Sequence, residues 1–502
     1  MDLAAKARNG IQQADGNLLQ IGTSSWLVIS SSELLVCVDK SENRDGRKFC
    51  INGNRKTTGS WSIPFYNILW AELLQSELII QYAAPSGQDV TANVLKFSVQ
   101  PNCQSVKEWI TKLLDCSYRD SQPRKRAKIL VNPHSGRKKA RGMFSKFIEP
   151  LLRAAGCIID MVETTHAGEG ISIAEKLDID AFDTIIVCSG DGLAHEVFNG
   201  FGKRPDANRA LKKIAVAHIP CGSGNGLSRN LNHTGNVSKA TLAIIKGVRK
   251  PMDLVLVTQG DRITLSYLSQ ATGMAAESDL ATEYLRWMGE TRFVLGFLTR
   301  ILAKKVYPAE ISVKIAIEGK SLIMEHYENE IEKQASENMC SNSQHPLGCD
   351  LAKDEPYHPG LPPLKYGTIN DVAPEDWVVV PCDNLGTLYC GNLAYMSTDA
   401  KFFRPALHND GMMDLILIDG NLRRCSALQL FGAMTDDTFF DSPLIQYHKI
   451  RAFRWTPKNQ DSGYISIDGE SVPFEPFQAE VHKGLGTVIM INRQIPGALT
   501  SI

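Results

Sequence analysis

An aspartate between two glycines is the part of this sequence best suited to chemistry. Asp191 lies between Gly190 and Gly192, directly after the β-branched apolar run 184–189. Continuous apolar runs of this length predict strands buried on both faces, and open α/β sheets bind ligands at the carboxyl ends of such strands. Glycines let a backbone approach a phosphate closely, and the free N–H groups of a following helix attract the same anion. The pattern indicates a carboxylate that handles protons beside a phosphate, although a plain tight turn uses the same residues.

Two other predicted strands end in loops of similar composition. Strand 213–220 is followed by 221–226, where three glycines alternate with Ser and Asn donors as in a phosphate-binding nest. Strand 128–131 precedes Asn132-Pro133-His134-Ser135-Gly136. Three such loops at successive strand ends are uncommon in a domain without a ligand. The chain lacks GxxxxGK[ST], which excludes a P-loop protein, and it lacks the third glycine of the Rossmann pattern, which makes a dinucleotide dehydrogenase a weak alternative.

Length, charge and cysteine content limit the classes of protein to consider. The 502 residues are enough for two or three domains. Lys and Arg number 54 against 55 Asp and Glu, so nothing favours a nucleic-acid partner. The twelve cysteines form no CxxC pair, which argues against zinc or redox motifs and favours a reducing compartment. The N-terminus has no signal-peptide pattern, and no apolar run reaches the ~18 residues of a membrane span, so we expect a soluble or peripheral protein.

The pattern of elements predicts three regions. Residues 1–120 form short strands closed by a helix with Ser105 and Glu108 at capping-box spacing, which suits either a pleckstrin-homology-like (PH-like) module or a β-sandwich cap without a ligand. A basic linker, 121–127, could contact anionic lipid, but a solvated linker explains it equally well. Residues 128–250 alternate strands and helices, with one long helix after Gly136, as in a doubly wound α/β domain. Residues 251–502 form a mostly antiparallel β-sandwich, interrupted by a polar insertion at 326–364 that we expect to be disordered.

The ordered motifs resemble a known superfamily. Asn-Pro-x-x-Gly at 132–136, Ser-Gly-Asp-Gly-x-x-x-Glu at 189–196 and Gly-Ser-Gly-Asn at 222–225 are similar to the lipid kinases of diacylglycerol and sphingosine. Segments 273–293 and 467–470 resemble the sphingosine, or long-chain-base, kinases in particular. The resemblance covers roughly 127–325 and 365–495. It implies a cytoplasmic, membrane-associated enzyme that uses ATP and Mg²⁺ to phosphorylate the primary hydroxyl of a sphingoid base.

The resemblance also assigns roles to residues. Asp191 is the expected general base, although Asp before a helix is also a common cap. The expected substrate contacts are Ser189, Gly190, Asp191, Gly192, Ser269 and Asp279. The expected nucleotide contacts are Asn132, Pro133, His134, Thr164, Glu196, Ser223, Gly224, Asn225, Arg286, Arg292, Asp468, Gly469 and Glu470. Tripeptide 468–470 would reach the nucleotide from the second domain, which makes the site interdomain.

Several of these residues also have a simpler structural explanation. Asp279 would bind the substrate ammonium, but with Glu283 and Arg286 it also suits a surface salt-bridge ladder on one helix face. Glu196 would also suit an ordinary exposed helix position. The family usually has Gly-His-Ala where this chain has Gly168-Glu169-Gly170, and a basic residue followed by glycine where this chain has His134-Ser135. The magnesium ligands are not indicated.

Two other functions are compatible with the same motifs. A kinase for ceramide or diacylglycerol would need no amine-binding role for Asp279. A lipid-binding relative without catalysis would keep the fold, although the intact Asp191 and Gly192 argue against it.

Overall fold

The N-terminal part of the chain consists of two antiparallel sheets closed by a helix. The computed structural model describes residues 16–21, 25–38, 59–100, 103–282, 296, 299–300, 305–340, 358–433 and 438–498. A four-stranded sheet contains β1 (Leu18–Ile21), β2 (Ser25–Ile29), β3 (Glu33–Val38) and β4 (Gly59–Pro64). A three-stranded sheet contains β5 (Ile68–Leu74), β6 (Glu77–Ser86) and β7 (Asp89–Ser98). Helix α1 (Gln104–Tyr118) follows.

Helix α1 buries the face that its sequence predicts, but it does not begin as predicted. Val106, Trp109, Ile110 and Leu113 are all buried. The N-cap residue is Cys103, and no side chain caps the helix, so the predicted capping box is wrong. Burial of the apolar face stabilises the helix without that cap.

A parallel sheet forms the middle of the chain, with the alternating strands and helices expected there. Strands β8 (Arg126–Val131), β9 (Ile158–Glu163), β10 (Thr184–Ser189) and β11 (Ala215–Pro220) lie in the order β9-β8-β10-β11. All residues of β10 and β11 are buried, and alternate side chains enter the cores on the two faces of the sheet. The helices of this region are α2 (Ser135–Lys138), α3 (Ala140–Met143), α4 (Glu149–Ala154), α5 (Glu169–Glu175), α6 (Asp191–Gly202), α7 (Ala207–Lys213), α8 (Gly226–Asn232) and α9 (Val237–Ile245).

The predicted long helix after Gly136 is interrupted. Helices α2 and α3 are followed by a π-helical turn, Phe144–Ile148, before α4 begins. Pro150 lies at the start of α4 and has no N–H to donate to the preceding turn, which explains the irregularity there.

The remaining strands continue the same sheet. They are β12 (Val248–Gln259), β13 (Arg262–Ser266), β14 (Ser269–Gly273), β15 (Ala309–Glu318), β16 (Val378–Cys382), β17 (Leu385–Gly391), β18 (Met413–Asp419), β19 (Ile445–Pro457), β20 (Ile465–Ile467), β21 (Glu470–Val472) and β22 (Phe477–Met490). Strand β22 pairs in parallel with β11 and antiparallel with β12 and β19. One hydrogen-bonded sheet therefore runs through both the α/β region and the β-rich region.

Two large apolar clusters lie in the described part of the β-rich region. Leu388, Leu415 and Phe453 belong to a core among the strands. A second cluster, here called the covered face, includes Ile416, Ile418 and Tyr447 together with Ile323 of helix α11 (Lys320–Cys340) and Leu430 of helix α12 (Arg424–Ala433). Helix α10 (Met274–Leu280) follows β14.

The polar insertion is not disordered at its start. Helix α11 covers its first part, 326–340, and is anchored by the buried Ile323 one turn earlier. Residues 341–357 lie outside the described residues, while Leu361 packs against an apolar core. The expectation of disorder is therefore wrong for 326–340, because a strongly polar sequence still forms a helix when its first turn is docked.

The basic linker 121–127 is solvated only in part, at the exposed residues 122–124. Lys125 and Ser121 are buried, and the Lys125 ammonium donates to the carbonyl oxygens of Gln122 and Ile245, each at 2.8 Å. Burial lowers the pKa of Lys125 to about 8. A single apolar core joins the N-terminal sheets to one face of the parallel sheet. The N-terminal region is thus packed directly on the α/β region. None of the described helices has both the length and the apolar character that a membrane crossing requires.

Candidate active site

The loops after β8, β10 and β11 pack against one another, as their positions in the sequence predict. The hydroxyl oxygens of Ser135 and Ser189 lie 2.8 Å apart. A Cβ on Gly222 would lie 2.3 Å from the Cα of Gly190, so this approach of two backbones requires glycine. The structure therefore brings the three predicted loops together at one edge of the sheet.

The carboxylate of Asp191 is fixed at the centre of these loops. Its Oδ2 accepts from the N–H of Gly226 at 2.9 Å, and its Oδ1 accepts from the N–H of Leu227 at 3.0 Å. Both donors belong to the first turn of α8, whereas the start of α6, where Asp191 itself lies, has no side-chain cap. A Cβ on Gly224 would lie 3.3 Å from Oδ2, so glycine keeps the approach to that oxygen clear. The carboxylate is oriented by donors, and 11% of its side chain remains exposed.

A buried histidine supports the same loops without carrying charge. His218 donates from Nε2 to the Ser189 carbonyl oxygen at 2.9 Å and accepts at Nδ1 from the Ser228 N–H at 3.2 Å. These two bonds define a neutral tautomer. Its Nδ1 lies 3.6 Å from Asp191 Oδ1, and this contact is therefore not an ion pair.

The predicted nucleotide residues on these loops shape the backbone. Asn132 Oδ1 accepts from the His134 N–H at 3.0 Å, which closes the turn around Pro133. The Asn225 side chain bonds both the N–H and the carbonyl oxygen of Gly222, at 3.1 and 3.0 Å. Ser223 is exposed at the tip of its loop. Because β10 lies between β8 and β11, these two loops flank the one that carries Asp191.

Glu196 holds a backbone segment near the predicted Thr164 contact. Its two carboxylate oxygens accept from the N–H groups of Gly168 and Gly170, at 2.9 and 2.8 Å. Thr164 is buried, and its N–H donates to the Val131 carbonyl oxygen at 2.9 Å. Glu196 is therefore not an ordinary exposed glutamate, and both of its oxygens already accept hydrogen bonds within the protein. It fixes loop 168–170, in which the chain departs from the family pattern.

Asp468 is a buried acceptor that joins distant parts of the chain. Its Oδ1 accepts from the Ser266 hydroxyl and from the N–H groups of Leu268 and Ser269, at 2.6, 2.9 and 2.9 Å. Its Oδ2 accepts from the Tyr267 N–H at 3.1 Å and contacts His195 Nδ1 at 2.8 Å. Burial alone lowers the pKa of His195, but the hydrogen bond and charge of Asp468 outweigh it, and the pKa is raised overall. The Asp468 carboxylate is committed to bonds within the protein.

The rest of the 468–470 tripeptide reaches the loop of Asp191, as the interdomain prediction requires. Gly469 adopts a φ of 86°, a conformation that glycine favours. A Cβ on Gly192 would lie 2.6 Å from Glu470 Oε1, so the Glu470 carboxylate lies directly over Gly192.

Asp279 lies on α10 beside the same tripeptide. Its Oδ2 accepts from the Ser466 hydroxyl at 3.3 Å, and a Cβ on Gly469 would lie 3.8 Å from that oxygen. The neighbouring Glu277 contacts Lys305 Nζ at 2.8 Å and Arg300 Nε at 3.4 Å, which anchors α10. Arg286 and Arg292, the predicted phosphate ligands, lie outside the described residues, as does the Glu283 of the alternative salt-bridge ladder.

The carboxylates present fit a magnesium ion only in part. Within the described ranges, no group of three or more His, Cys, Asp or Glu forms a metal-binding cluster. Magnesium usually takes one or two carboxylates together with phosphate oxygens. Asp191 and Glu470 could supply the carboxylates, and a nucleotide would have to supply most of the remaining ligands.

Comparison with known proteins agrees with this geometry. Residues 126–257 match the diacylglycerol kinase catalytic domain, and residues 17–119 match a family described only as a domain of unknown function. The sphingoid long chain base kinase 5 of Saccharomyces cerevisiae is 32% identical to the chain over 93% of this chain and 75% of that protein. The sphingoid long chain base kinase 4 of Schizosaccharomyces pombe is 31% identical over 85% of this chain and 88% of that protein.

The chain belongs to the sphingoid long-chain-base kinase family. Human sphingosine kinase 1 is a more distant relative, with 27% identity over 71% of this chain and 88% of that protein. A solved structure of a putative diacylglycerol kinase from Bacillus anthracis str. Sterne has a TM-score of 0.50 and 17% identity, and covers 75% of this chain and 98% of that one. At this level of identity, the similarity of this kinase to the bacterial structure shows only a shared α/β fold.

Sequence analysis did not identify every residue that builds the site of this kinase. His195, His218 and Ser466 were not identified, and neither was Tyr389, whose hydroxyl is hydrogen-bonded to the Ser269 side chain. The partners of His195 and Ser466 are 273 and 187 residues away in the chain, so no local spacing indicates the contacts. The histidines lie in an apolar helix face and a buried strand, where sequence patterns predict only core positions.

Proposed function

We propose that this protein transfers the γ-phosphoryl group of ATP to the primary hydroxyl of a sphingoid long-chain base, which yields the base 1-phosphate and ADP. The observation that carries the proposal is the Asp191 carboxylate, fixed by two backbone donors among three strand-end loops. Membership of the long-chain-base kinase family supports the same reaction.

The chemistry follows from the position of that carboxylate. The hydroxyl oxygen of carbon 1 forms a bond to the γ-phosphorus, the bond from that phosphorus to the bridging oxygen breaks, and the electron pair leaves with ADP. The hydroxyl proton passes to Asp191, and a positioned base of this kind contributes about 10²- to 10⁴-fold in rate. The glycine loops supply close backbone approach for the phosphates, and magnesium would screen their charge.

Asp279 is the proposed partner of the substrate ammonium. It lies next to the Gly469 turn, and Glu470 of the same tripeptide covers the glycine beside Asp191. A carboxylate and an ammonium about 4 Å apart attract by a few kcal/mol at an effective dielectric near 20.

We extend the proposal to the surroundings of the enzyme. The substrate is a membrane lipid, so the protein would work at the cytoplasmic surface of a membrane without a nucleic-acid partner. Thiol-bearing cysteines such as Cys188 and Cys221 are compatible with that compartment. The two antiparallel sheets and helix α1 support a PH-like module at 1–120, and the antiparallel strands after β12 support a sandwich-like lipid domain.

A kinase for another lipid alcohol is the second candidate, favoured by the match of residues 126–257 to the diacylglycerol kinase catalytic domain. Ceramide and diacylglycerol carry no ammonium for Asp279. The full-length protein should therefore be assayed with ATP and sphingosine, ceramide and diacylglycerol side by side in matched mixed micelles. Phosphorylation of sphingosine far above the other two supports the proposal, whereas equal or greater turnover of a neutral lipid rejects it.

Two variants test the assigned carboxylates. Asp191→Asn should lower kcat by at least about a hundredfold, because the proton acceptor is lost and the new amide group faces one of the two backbone N–H donors of α8; nucleotide binding should largely persist. Asp279→Asn should raise KM for sphingosine, since loss of a partly buried ion pair costs about 2–5 kcal/mol, and should leave KM for ATP nearly unchanged. Asp383→Asn is the control, because this side chain is 78% exposed. If Asp191→Asn retains more than about a tenth of the wild-type kcat, Asp191 is not the general base.

A further inference from the structure

Tyr267 joins the β-rich region to the helix that begins at Asp191. It lies between β13 and β14 and is completely buried. Its hydroxyl donates to the Asp191 carbonyl oxygen at 3.0 Å. A helix carbonyl oxygen normally accepts one bond from the N–H group four residues later, and its second lone pair can take a further donor. Tyr267 is such a further donor to the backbone of the proposed general base.

The rest of Tyr267 is fixed by its neighbours. Its N–H donates to Asp468 Oδ2 at 3.1 Å, and its carbonyl oxygen accepts from the Asn392 side chain at 3.1 Å. Its ring packs against Phe198 of α6, with ring centroids 5.4 Å apart. Because the main chain of Tyr267 is bonded to other parts of the β-rich region, the position of its hydroxyl follows the position of that region.

The Tyr267 hydroxyl keeps its proton. Burial raises the pKa of this phenol far above its ordinary value, and the charges of Asp191, Asp468 and Glu470 raise it further. A neutral hydroxyl can donate to a carbonyl oxygen, whereas a phenolate could not. The bond to the Asp191 carbonyl oxygen therefore persists over the pH range of an ordinary kinase assay.

Asp191 is thus held from two sides. Its carboxylate accepts from two N–H groups in the first turn of α8, which belongs to the α/β region. Its carbonyl oxygen accepts from Tyr267, whose N–H is bonded to the 468–470 tripeptide. Asp279, the proposed partner of the substrate ammonium, lies beside Gly469 of the same tripeptide. One part of the β-rich region therefore positions both the proposed amine site and the backbone of the base.

We infer that Tyr267 is a positioning residue for phosphoryl transfer, because its hydroxyl holds the backbone of Asp191 where the carboxylate can reach the lipid hydroxyl group. The inference rests on the proposed function. A general base must lie within about 2.6–3.2 Å of the atom whose proton it takes. A displacement of about 1 Å can cost on the order of a hundredfold in rate. Without the Tyr267 bond, the first turn of α6 is free to shift relative to the substrate, and fewer complexes are aligned for proton transfer.

The test is Tyr267→Phe in the full-length protein, which removes one oxygen atom and keeps the ring beside Phe198. The kcat for sphingosine, expressed per folded molecule, should fall by about threefold to tenfold, the usual effect of one neutral hydrogen bond. KM for ATP and KM for sphingosine should change little, because no group that binds either substrate is removed. A purely structural role would lower the stability of the protein and leave kcat per folded molecule unchanged.

Tyr447→Phe is the matched control. Tyr447 is also buried, but its hydroxyl donates to Asp414 at 2.8 Å and not to the Asp191 backbone. This variant should unfold at a lower urea concentration than wild type and keep the wild-type kcat. An equal fall of kcat in both variants would show a general effect of losing a buried hydroxyl, and would overturn the role of Tyr267.

Amide hydrogen exchange of the protein without substrates provides a second readout. The first turn of α6 should exchange faster in Tyr267→Phe than in wild type, because the bond to its backbone is lost. The same turn should exchange at the wild-type rate in Tyr447→Phe. Equal exchange of this turn in all three proteins would show that Tyr267 does not hold it, and the inference would be wrong.

Failure of the inference is distinct from failure of the proposed function. Wild-type protein that does not phosphorylate sphingosine rejects the proposed function itself. Wild-type turnover with the same kcat in Tyr267→Phe rejects only the role of Tyr267. A raised KM for sphingosine with an unchanged kcat would place Tyr267 in substrate binding, and would likewise overturn the positioning role.

Discussion

Replacement of Asp468 by Asn should destabilise the whole enzyme rather than weaken nucleotide binding alone. The amide of Asn has one carbonyl oxygen, which can accept the three hydrogen bonds that Oδ1 accepts in the wild type. The amide group then faces the Tyr267 N–H, a donor against a donor, and His195 loses its charged partner. The side chain of Asp468 has no exposed surface, so water cannot replace the lost bonds.

The expected cost is about 3–5 kcal/mol, the usual effect of breaking a buried ion pair. The effect should depend on pH. Because the folded-state pKa of His195 is raised above its ordinary value of 6.5, the pair contributes its full stability below that pH and loses it as pH rises through the raised value. Asp468→Asn should abolish this decline in stability.

Urea unfolding at several pH values, together with KM for ATP, measures both effects. Asp441→Asn is the control, because this residue pairs with Arg404 at the surface and should cost less than about 1 kcal/mol. If Asp468→Asn unfolds at the same urea concentration as wild type while KM for ATP rises, Asp468 contacts the nucleotide directly and the structural argument is refuted.

Two further substitutions test the packing of the site and of the N-terminal region. Gly222→Ala should abolish turnover, because its Cβ would lie 2.3 Å from the Gly190 backbone. Gly142→Ala is the control and should leave kcat unchanged, because a Cβ there would have no atom within 4 Å. Equal activity of the two variants would contradict the packing argument. Lys125→Met should flatten the pH dependence of stability between about pH 8 and pH 10.5. Below this window the wild-type lysine is charged in both the folded and the unfolded state, and within it the lysine is neutral in the folded state but still charged in the unfolded state. Wild-type stability should therefore rise with pH in this window relative to the variant. Parallel urea-unfolding curves of wild type and variant across that window would show that Lys125 is not desolvated.

Local sequence patterns predicted the elements that carry the chemistry. The loop of Asp191 and the two loops beside it were identified because each follows a short buried strand, and buried strands have a strong local signature. The buried face of α1 was identified for the same reason, since Trp109 and its neighbours recur at helical spacing. The meeting of these loops then follows from parallel strand order.

The bonds that hold the site together were not predictable in this way. Glu196 and Asp468 accept from backbone N–H groups 26 or more residues away, and a carboxylate with such partners has the same local sequence as a solvated one. Lys125 belongs to a basic run that suits a linker, yet it is buried because the carbonyl oxygens of Gln122 and Ile245 accept hydrogen bonds from its ammonium. Helix α11 is likewise stabilised by burial of Ile323, and the polar composition of its sequence does not predict this contact.

The position of β22 has a consequence for how the chain folds during synthesis. This strand, Phe477–Met490, follows all the other described strands in the sequence, yet it lies between β11 and β19 in the middle of the sheet. The pair Val216–Val488 joins residues more than half the chain apart, so the sheet has a high contact order. Strand β11 leaves the ribosome early, and its edge opposite β10 stays unpaired until β22 has been made. Chaperones, or the N-terminal region that already packs on the same domain, would have to protect this edge until β22 pairs with it.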